Sequence, residues 1–281
     1  DFDRLDPMTV APDTRGDTSP ERRDPVSRVM VGAIVLVALI GAVLIGSAFL
    51  PRWWAQRIGN QVDGSMTRGI VAIPNCTTTP LVMALKPLQD AVGVKRVVVT
   101  TFQSVSGTGS AAMDELMDQT KDLLAFRDVT TKVYPYQIAF NLLPHIGSFN
   151  EGGDCSEEIK IAKETRKILG VPNLRVTATT VRVPVLRCHS EAINVELERP
   201  LKVNEARAAL AAMPGVLVYD DPTKKLYPMP LDATGKDEVY IGRVREDESI
   251  ANGLNLWVVS DNLRKGAALN AIQIAECLIN N

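Results

Sequence analysis

Cys76 is the residue of this 281-residue chain whose position most directly suggests chemistry. It lies in the segment "IPNCTTTP", residues 73–80, which is typical of a turn followed by the start of a helix. The reactive form of cysteine is the thiolate, and a helix N-terminus stabilises that anion through its macrodipole and free N–H groups. A free cysteine is also a common small core residue. The local sequence therefore leaves two alternatives open, a nucleophile or a structural thiol.

The two histidines, His145 and His189, are the candidate proton carriers for such a thiol. His189 lies in "RCHSEA", and an imidazole with a pKa near 6.5 can exchange a proton with a thiol at neutral pH. His145 lies in the apolar segment "LLPHIG", which favours a structural histidine held by a hydrogen-bond partner. We therefore expect His189 to be the general acid and base.

Three charged residues could bind a substrate that carries both signs of charge. Glu157 and Lys160 are three residues apart on a predicted helix, so they share a face and could bind an ammonium and a phosphate. An ordinary surface ion pair is the alternative for those two residues. Arg182 interrupts an apolar strand, and its planar guanidinium could hold a carboxylate through two parallel hydrogen bonds.

The segment "SGTGSAA", residues 106–112, resembles a nucleotide-binding loop because it follows a predicted strand and opens a predicted helix. It nearly matches the pattern G-x-G-x-x-A, but a single match of this kind is a weak signal. No acidic residue ends a second strand at the expected distance.

The elements that position these residues are predicted from periodicity. Strands are expected at 95–103, 175–185 and 191–198, and helices at 110–126, 155–170, 202–215 and 261–279. Ser156 is expected to cap the 155–170 helix, and Gly170 to end it. The alternation of short charged and apolar segments from residue 70 onward indicates an α/β or α+β protein.

Composition excludes several classes of protein. The net charge of −2 does not indicate a nucleic-acid-binding protein. Four cysteines are too few for a disulfide scaffold, and the chain has no CxxC or histidine-rich cluster that would bind zinc. Reduced thiols in a cytoplasmic compartment fit this cysteine usage.

The first 69 residues have a different character. Residues 1–28 are polar and are predicted to be a disordered tail. Residues 29–50 carry no charge and, as a helix, are long enough to cross a bilayer core of roughly 30 Å, so we predict a transmembrane helix there. A signal peptide is the alternative, although the apolar run is long for one. Residues 51–69 are expected to be a linker.

Residues 70–281 resemble the C-terminal catalytic part of the bacterial aspartate-semialdehyde dehydrogenases. The resemblance depends on the order and spacing of "GIVAIPNCTTTP", "TTFQSVSGTG", "AFNLLPHIG", "EEIKIAKETRKIL", "VRVPVLRCHSEAINVE" and "DNLRKGAALNAIQIAE". It implies an α+β domain with a mixed sheet flanked by helices, which supplies much of a homodimer interface. Here that domain would be preceded by the disordered tail and the transmembrane-type helix.

The resemblance also implies roles for individual residues. Cys76 and His189 match the family's catalytic pair. Gln103, Glu157, Lys160 and Arg182 match its substrate-binding positions, and Ser106, Gly107 and Asn262 match contacts to NADP. The implied reaction interconverts aspartate semialdehyde plus phosphate with aspartyl phosphate through a Cys76 thioester. It belongs to lysine, threonine, methionine and isoleucine biosynthesis.

The sequence departs from the family before residue 70, where a dinucleotide-binding half is expected and no GxGxxG is found. We therefore expect a join near Gly69 between unrelated segments, an impaired dehydrogenase, and possible membrane insertion through residues 29–50. The 261–279 helix is expected to expose its apolar face. Two alternatives stay open: a non-redox acyl-transfer enzyme that uses Cys76 and His189, or a membrane-anchored dimerisation module or chimeric product without enzymatic function.

Overall fold

A computed structural model describes residues 72–279. These residues form a six-stranded mixed sheet with helices packed on one face. The helices are α1 Thr78–Val92, α2 Ser110–Leu124, α3 Ser156–Leu169, α4 Val203–Ala211, α5 Pro230–Ala233 and α6 Leu269–Ile279. The strands are β1 Val94–Gln103, β2 Arg175–Arg182, β3 His189–Leu197, β4 Val216–Val218, β5 Val239–Asp247 and β6 Gly253–Ser260. The expected α+β class with a mixed sheet is confirmed.

The strand order is β2-β1-β3-β6-β5-β4, with parallel β1–β2 and β4–β5 pairs and antiparallel pairs elsewhere. Alternate residues such as Val97 and Val99 on β1 and Ile193 and Val195 on β3 face the core. They pack against apolar residues of α1, α3 and α4. One face of the sheet is therefore covered by these helices.

The register of the sheet brings polar residues to one edge. Gln103 ends β1 beside Arg182, which ends the parallel strand β2. His189 begins β3 and pairs with Ser260, the last residue of β6. Because Phe102 pairs with Ser190, Gln103 lies next to His189 across the β1–β3 ladder. Four polar residues from four strands thus meet at this edge, where the apolar core ends: Gln103, Arg182, His189 and Ser260.

Two local predictions need correction. Cys155, and not Ser156, is the N-cap of α3, because the Cys155 N–H donates to Glu158 Oε2 at 2.8 Å. The predicted 261–279 helix is interrupted: residues Arg264–Ala268 form a π turn, and the regular helix α6 begins only at Leu269. Gly170 ends α3 in a left-handed conformation, φ 69°, as predicted.

The predicted tail at 1–28, the transmembrane helix at 29–50, the linker at 51–69 and the join near Gly69 all lie outside the described residues. Within residues 72–279, no helix combines the length and the apolar character needed to cross a bilayer.

Candidate active site

Cys76 lies in a turn that is fixed directly before helix α1. Thr77 is the N-cap of that helix, and Asn75 Oδ1 accepts hydrogen bonds from Thr77 N at 2.9 Å and Thr77 Oγ1 at 2.6 Å. The Asn75 N–H donates to Glu164 Oε2 at 2.8 Å, which ties the turn to α3. The expected position of Cys76 at a helix start is confirmed.

The charge state expected for Cys76 is not confirmed. Burial of the thiol, followed by the negative charge of Glu157, raises its pKa to about 12, while Arg182 opposes the shift. Desolvation and like charge thus outweigh the favourable helix dipole. A pKa of about 12 keeps the Cys76 thiol neutral at neutral pH.

His189 is buried, 1% exposed, and held in one tautomer. Its Nδ1 accepts the backbone N–H of Ser104 at 3.1 Å and lies 3.1 Å from Ser104 Oγ. Because a backbone N–H can only donate, the single proton of the neutral ring must be on Nε2. Nε2 has no hydrogen-bond partner among residues 72–279. Burial, together with the positive charge of Arg182, lowers the pKa of His189 from the ordinary value of 6.5 to about 3.

Arg182 is buried at the end of β2, and its Nη1 donates to the carbonyl oxygen of Ser104 at 2.7 Å. The same side chain lines a cavity of about 410 Å³ whose other walls include Tyr134, His145 and Phe149. A guanidinium remains charged in proteins, so this cavity has a fixed positive charge at its wall.

Glu157 lies in the first turn of α3 and is 7% exposed. Its Oε1 accepts hydrogen bonds from Asn75 Nδ2 at 2.8 Å and Gln103 Nε2 at 3.0 Å, and its Oε2 lies 3.0 Å from Lys160 Nζ. Burial alone would raise the pKa of Glu157, but the hydrogen bonds from these neighbours lower it overall. The predicted ion pair forms, yet only Lys160 is a surface residue.

The residues expected to contact a coenzyme lie against His189. Ser106 Oγ accepts from Asn262 Nδ2 at 3.0 Å, and Asn262 Oδ1 accepts from the Cys188 N–H at 3.0 Å. Gly107 is exposed, and a Cβ added to it would lie 3.1 Å from His189 Cε1 and 3.2 Å from Arg182 Nη1. The absence of a side chain at Gly107 thus lets its backbone lie close to both side chains.

His145 occupies a different environment from the one expected. Its half-buried ring stacks on Phe149 with a centroid distance of 4.3 Å. No hydrogen bond from its side chain is found within the described part of the chain. Stacking in the wall of the Arg182 cavity, and not a buried hydrogen bond, holds this histidine.

Sequence reasoning missed three polar residues of the site. Asn75 links the Cys76 turn to Glu157, and Ser104 orients His189. Glu191 lies two residues after His189 on the same strand face and is 1% exposed, so burial raises its pKa well above the usual value. The available signal was proximity in sequence, because Asn75 precedes Cys76 and Glu191 belongs to the "HSEA" segment.

Comparison with known proteins gives one consistent result. The family model described as "Semialdehyde dehydrogenase, dimerisation domain" matches residues 85–265. Aspartate-semialdehyde dehydrogenase of Legionella pneumophila is 54% identical over 212 residues, which cover 75% of this chain and 61% of that protein. The Aquifex aeolicus protein of the same name is 50% identical over 213 residues, covering 75% of this chain and 63% of its own length.

Solved structures give the same result. The crystal structure of aspartate semialdehyde dehydrogenase II from Vibrio cholerae, also solved in complex with ASA, has a TM-score of 0.73 and 46% identity. The match to the first of these covers 75% of this chain and 63% of that one. The Candida albicans enzyme with NADP has a TM-score of 0.59 and 27% identity, covering 82% of this chain and 65% of its own. The chain therefore spans less than two thirds of these proteins.

Proposed function

This chain belongs to the semialdehyde dehydrogenase family, and from that premise we propose that residues 72–279 form the thiol-bearing, substrate-binding part of an aspartate-semialdehyde dehydrogenase. The proposed reaction interconverts L-aspartate 4-semialdehyde plus phosphate and L-aspartyl 4-phosphate through a Cys76 thioester, with NADP as coenzyme. The observation that carries the proposal is the meeting of Arg182, His189 and the Glu157-linked Cys76 turn at one edge of the sheet.

The charges of the site match those of the proposed substrate. Arg182 offers a buried guanidinium to the α-carboxylate, and Glu157 offers a carboxylate to the α-ammonium. Gln103 binds Glu157 and keeps it oriented. Lys160, exposed beside Glu157, is placed to hold phosphate as a point charge.

Substrate binding would remove one of the two main causes of the high Cys76 pKa. Among the negative charges, Glu157 raises the pKa of Cys76 most, and a substrate ammonium bound to Glu157 would offset that charge. Addition of the thiol to the aldehyde moves one proton from sulfur to oxygen. The neutral His189 ring donates a hydrogen bond from Nε2–H to that oxygen, because Ser104 keeps Nδ1 as an acceptor, and the proton that the oxygen takes up is the one released by the Cys76 sulfur.

The exposed backbone of Gly107, where a Cβ would crowd His189 and Arg182, fits a flat ring placed over these side chains. We assign Ser106, Gly107 and Asn262 to the nicotinamide end of NADP, which accepts a hydride when it is bound. These residues supply one rim of a coenzyme site. The match to a dimerisation domain supports a homodimer formed through residues 70–281.

A steady-state assay tests the proposal. The chain would receive aspartate semialdehyde, phosphate and NADP⁺, and NADPH formation would be followed for wild type, Cys76→Ala and Arg182→Lys. We expect loss of activity in Cys76→Ala and a raised KM for aspartate semialdehyde in Arg182→Lys.

A second readout covers a chain that binds substrate without turnover. Aspartate semialdehyde should protect Cys76 from alkylation by N-ethylmaleimide in wild type, and protection should weaken in Arg182→Lys. NADPH formation that survives in Cys76→Ala would contradict the proposal. Absence of both turnover and protection in wild type would contradict it as well.

A further inference from the structure

Gly266 makes an unusually close contact with the proposed nucleophile. A Cβ added to Gly266 would lie 2.9 Å from Cys76 Cβ, 3.1 Å from the Cys76 carbonyl oxygen and 3.2 Å from Cys76 Cα. These are atoms of the backbone and its first side-chain carbon, so they cannot rotate away. Gly266 is not among the glycines with positive φ. The absence of a side chain is therefore required by the contact with Cys76, and not by the conformation of the turn.

The π turn is what carries Gly266 to this position. The Asp261 carbonyl oxygen accepts from Arg264 N at 3.1 Å and from Gly266 N at 3.2 Å, and the turn then continues to Ala268. Lys265 is buried, and its Nζ donates to Gln273 Oε1 of α6 at 2.7 Å, which fixes the turn on the following helix. π turns occur frequently at functional sites because the extra residue redirects the backbone locally.

The same segment also holds the frame of the proposed acid. Asn262 Oδ1 accepts from Ser104 Oγ at 3.2 Å, and Ser104 in turn binds His189 Nδ1 through its N–H. Asp261 anchors the segment, since its Oδ2 accepts from Gly235 N at 2.8 Å and lies 3.0 Å from Arg187 Nε. Residues 261–266, the coupling segment, thus contact the Cys76 turn at one end and the His189 frame at the other.

We propose that the coupling segment positions both catalytic side chains, with Gly266 as the positioning residue for Cys76 and Asn262 as the positioning residue for His189. The proposal depends on the proposed function only in treating Cys76 and His189 as catalytic residues. Because both contacts belong to one segment, we expect a shift of this segment to move the thiol and the imidazole frame together. A residue larger than glycine at position 266 must displace the Cys76 turn.

The first test is Gly266→Ala, with Gly152→Ala as the matched control. The nearest atom to a Cβ at Gly152 is Asn150 Oδ1 at 3.4 Å, an ordinary contact, and Gly152 has no positive φ. We expect the alkylation of Cys76 by N-ethylmaleimide, followed by peptide mapping, to slow about tenfold in Gly266→Ala, because the added methyl group buries and displaces the thiol. The Gly152→Ala rate should equal that of wild type.

Separate measurement of kcat and KM gives a second readout. In a chain that turns over, Gly266→Ala should lower kcat about tenfold or more and leave the KM for aspartate semialdehyde within about twofold, because Gly266 touches the nucleophile and not the charged anchors. A rise in KM with unchanged kcat would overturn the positioning role. The alkylation result needs no turnover, so failure of the proposed function and failure of this inference are distinguishable.

A double-mutant cycle covers the case in which Gly266→Ala folds poorly. Cys76→Gly removes the Cβ that the new methyl group would strike, so the stability cost of Gly266→Ala should be smaller in the Cys76→Gly background. Urea unfolding of the four proteins measures this coupling. Wild-type alkylation in Gly266→Ala together with no coupling in the cycle would overturn the proposal.

Discussion

The wild-type domain should lose stability as the pH falls below neutrality. Replacement of His189 by glutamine should remove the part of this loss that comes from the imidazole. The buried imidazole has a pKa of about 3, lowered from 6.5 by burial and then by Arg182. In the unfolded chain the same ring takes up a proton near pH 6.5. Between these two values the unfolded state binds a proton that the native state does not, so unfolding becomes more favourable with acid.

The magnitude follows from the shift. One unit of pKa corresponds to about 1.4 kcal/mol, so complete acidification through the window from pH 6.5 to pH 3 removes about 5 kcal/mol of stability through His189 alone. The share lost between pH 6.5 and pH 5 is about 2 kcal/mol. His189 is buried, so solvent screening does not reduce this effect.

Urea unfolding at several pH values between 7 and 5 would measure the effect in wild type, His189→Gln and His145→Gln. Carboxylates such as Glu157 and Glu191 titrate in all three proteins, so their contributions cancel in the differences. His189→Gln should lose about 2 kcal/mol less than wild type over this range, whereas His145→Gln keeps the His189 ring and should keep the loss that this ring causes. Equal slopes for wild type and His189→Gln would refute the assignment of a buried neutral imidazole.

Three further predictions concern the surroundings of the thiol. Glu157→Gln should lower the pKa of Cys76 from about 12 and so speed its alkylation by N-ethylmaleimide at pH 8. It should also raise the KM for aspartate semialdehyde. An unchanged alkylation rate would count against the effect of the Glu157 charge on the thiol. Asn75→Ala loses hydrogen bonds to Thr77 and Glu157 and should cost about 2 kcal/mol in urea unfolding, whereas wild-type stability would contradict these contacts. Burial lowers the pKa of Lys265 to about 8, so its charged form destabilises the fold, and this cost disappears as the pH rises from 8 to 10.5. Over that window the stability of wild type should therefore rise by up to about 3 kcal/mol relative to Lys265→Met. A constant difference between the two proteins would exclude this effect.

Most of the fold could be predicted from local pattern. The strand 95–103 and the helix 110–126 were found within two residues of their observed ends, because alternation and helical periodicity are local signals. The π turn at Arg264–Ala268 was not found, since one inserted residue hardly disturbs the apolar periodicity of "DNLRKGAALNAIQIAE". The reason for that turn is a distant contact, Gly266 against Cys76.

The expected apolar face of the C-terminal segment agrees with the observed exposure. Leu263 is 38% exposed and Ile272 is 52% exposed, whereas the buried side of the segment carries the polar residues Lys265, Asn270, Gln273 and Glu276. The aggregation-prone surface expected from this apolar face stays a prediction.

The identity of the site residues was easier to predict than their charge states. The family resemblance pointed to Cys76 and His189 as a catalytic pair, which stays a prediction, and the sequence suggested a lowered thiol pKa and an ordinary imidazole pKa. The structure gives the opposite for the thiol and a much lower value for the ring, because burial and the through-space charges of Glu157 and Arg182 decide both. Both charges are distant from Cys76 in sequence, since Glu157 belongs to α3 and Arg182 ends β2.

The most direct test of the central claim is carbon NMR of the chain with aspartate semialdehyde that is isotope-labelled at the aldehyde carbon, recorded without coenzyme. If Cys76 is the nucleophile, the wild-type chain should show the signal of a protein-bound hemithioacetal, and Cys76→Ala should show only free aldehyde and its hydrate. A hemithioacetal signal that persists in Cys76→Ala, or its absence in wild type at saturating aldehyde, would contradict the assignment of Cys76.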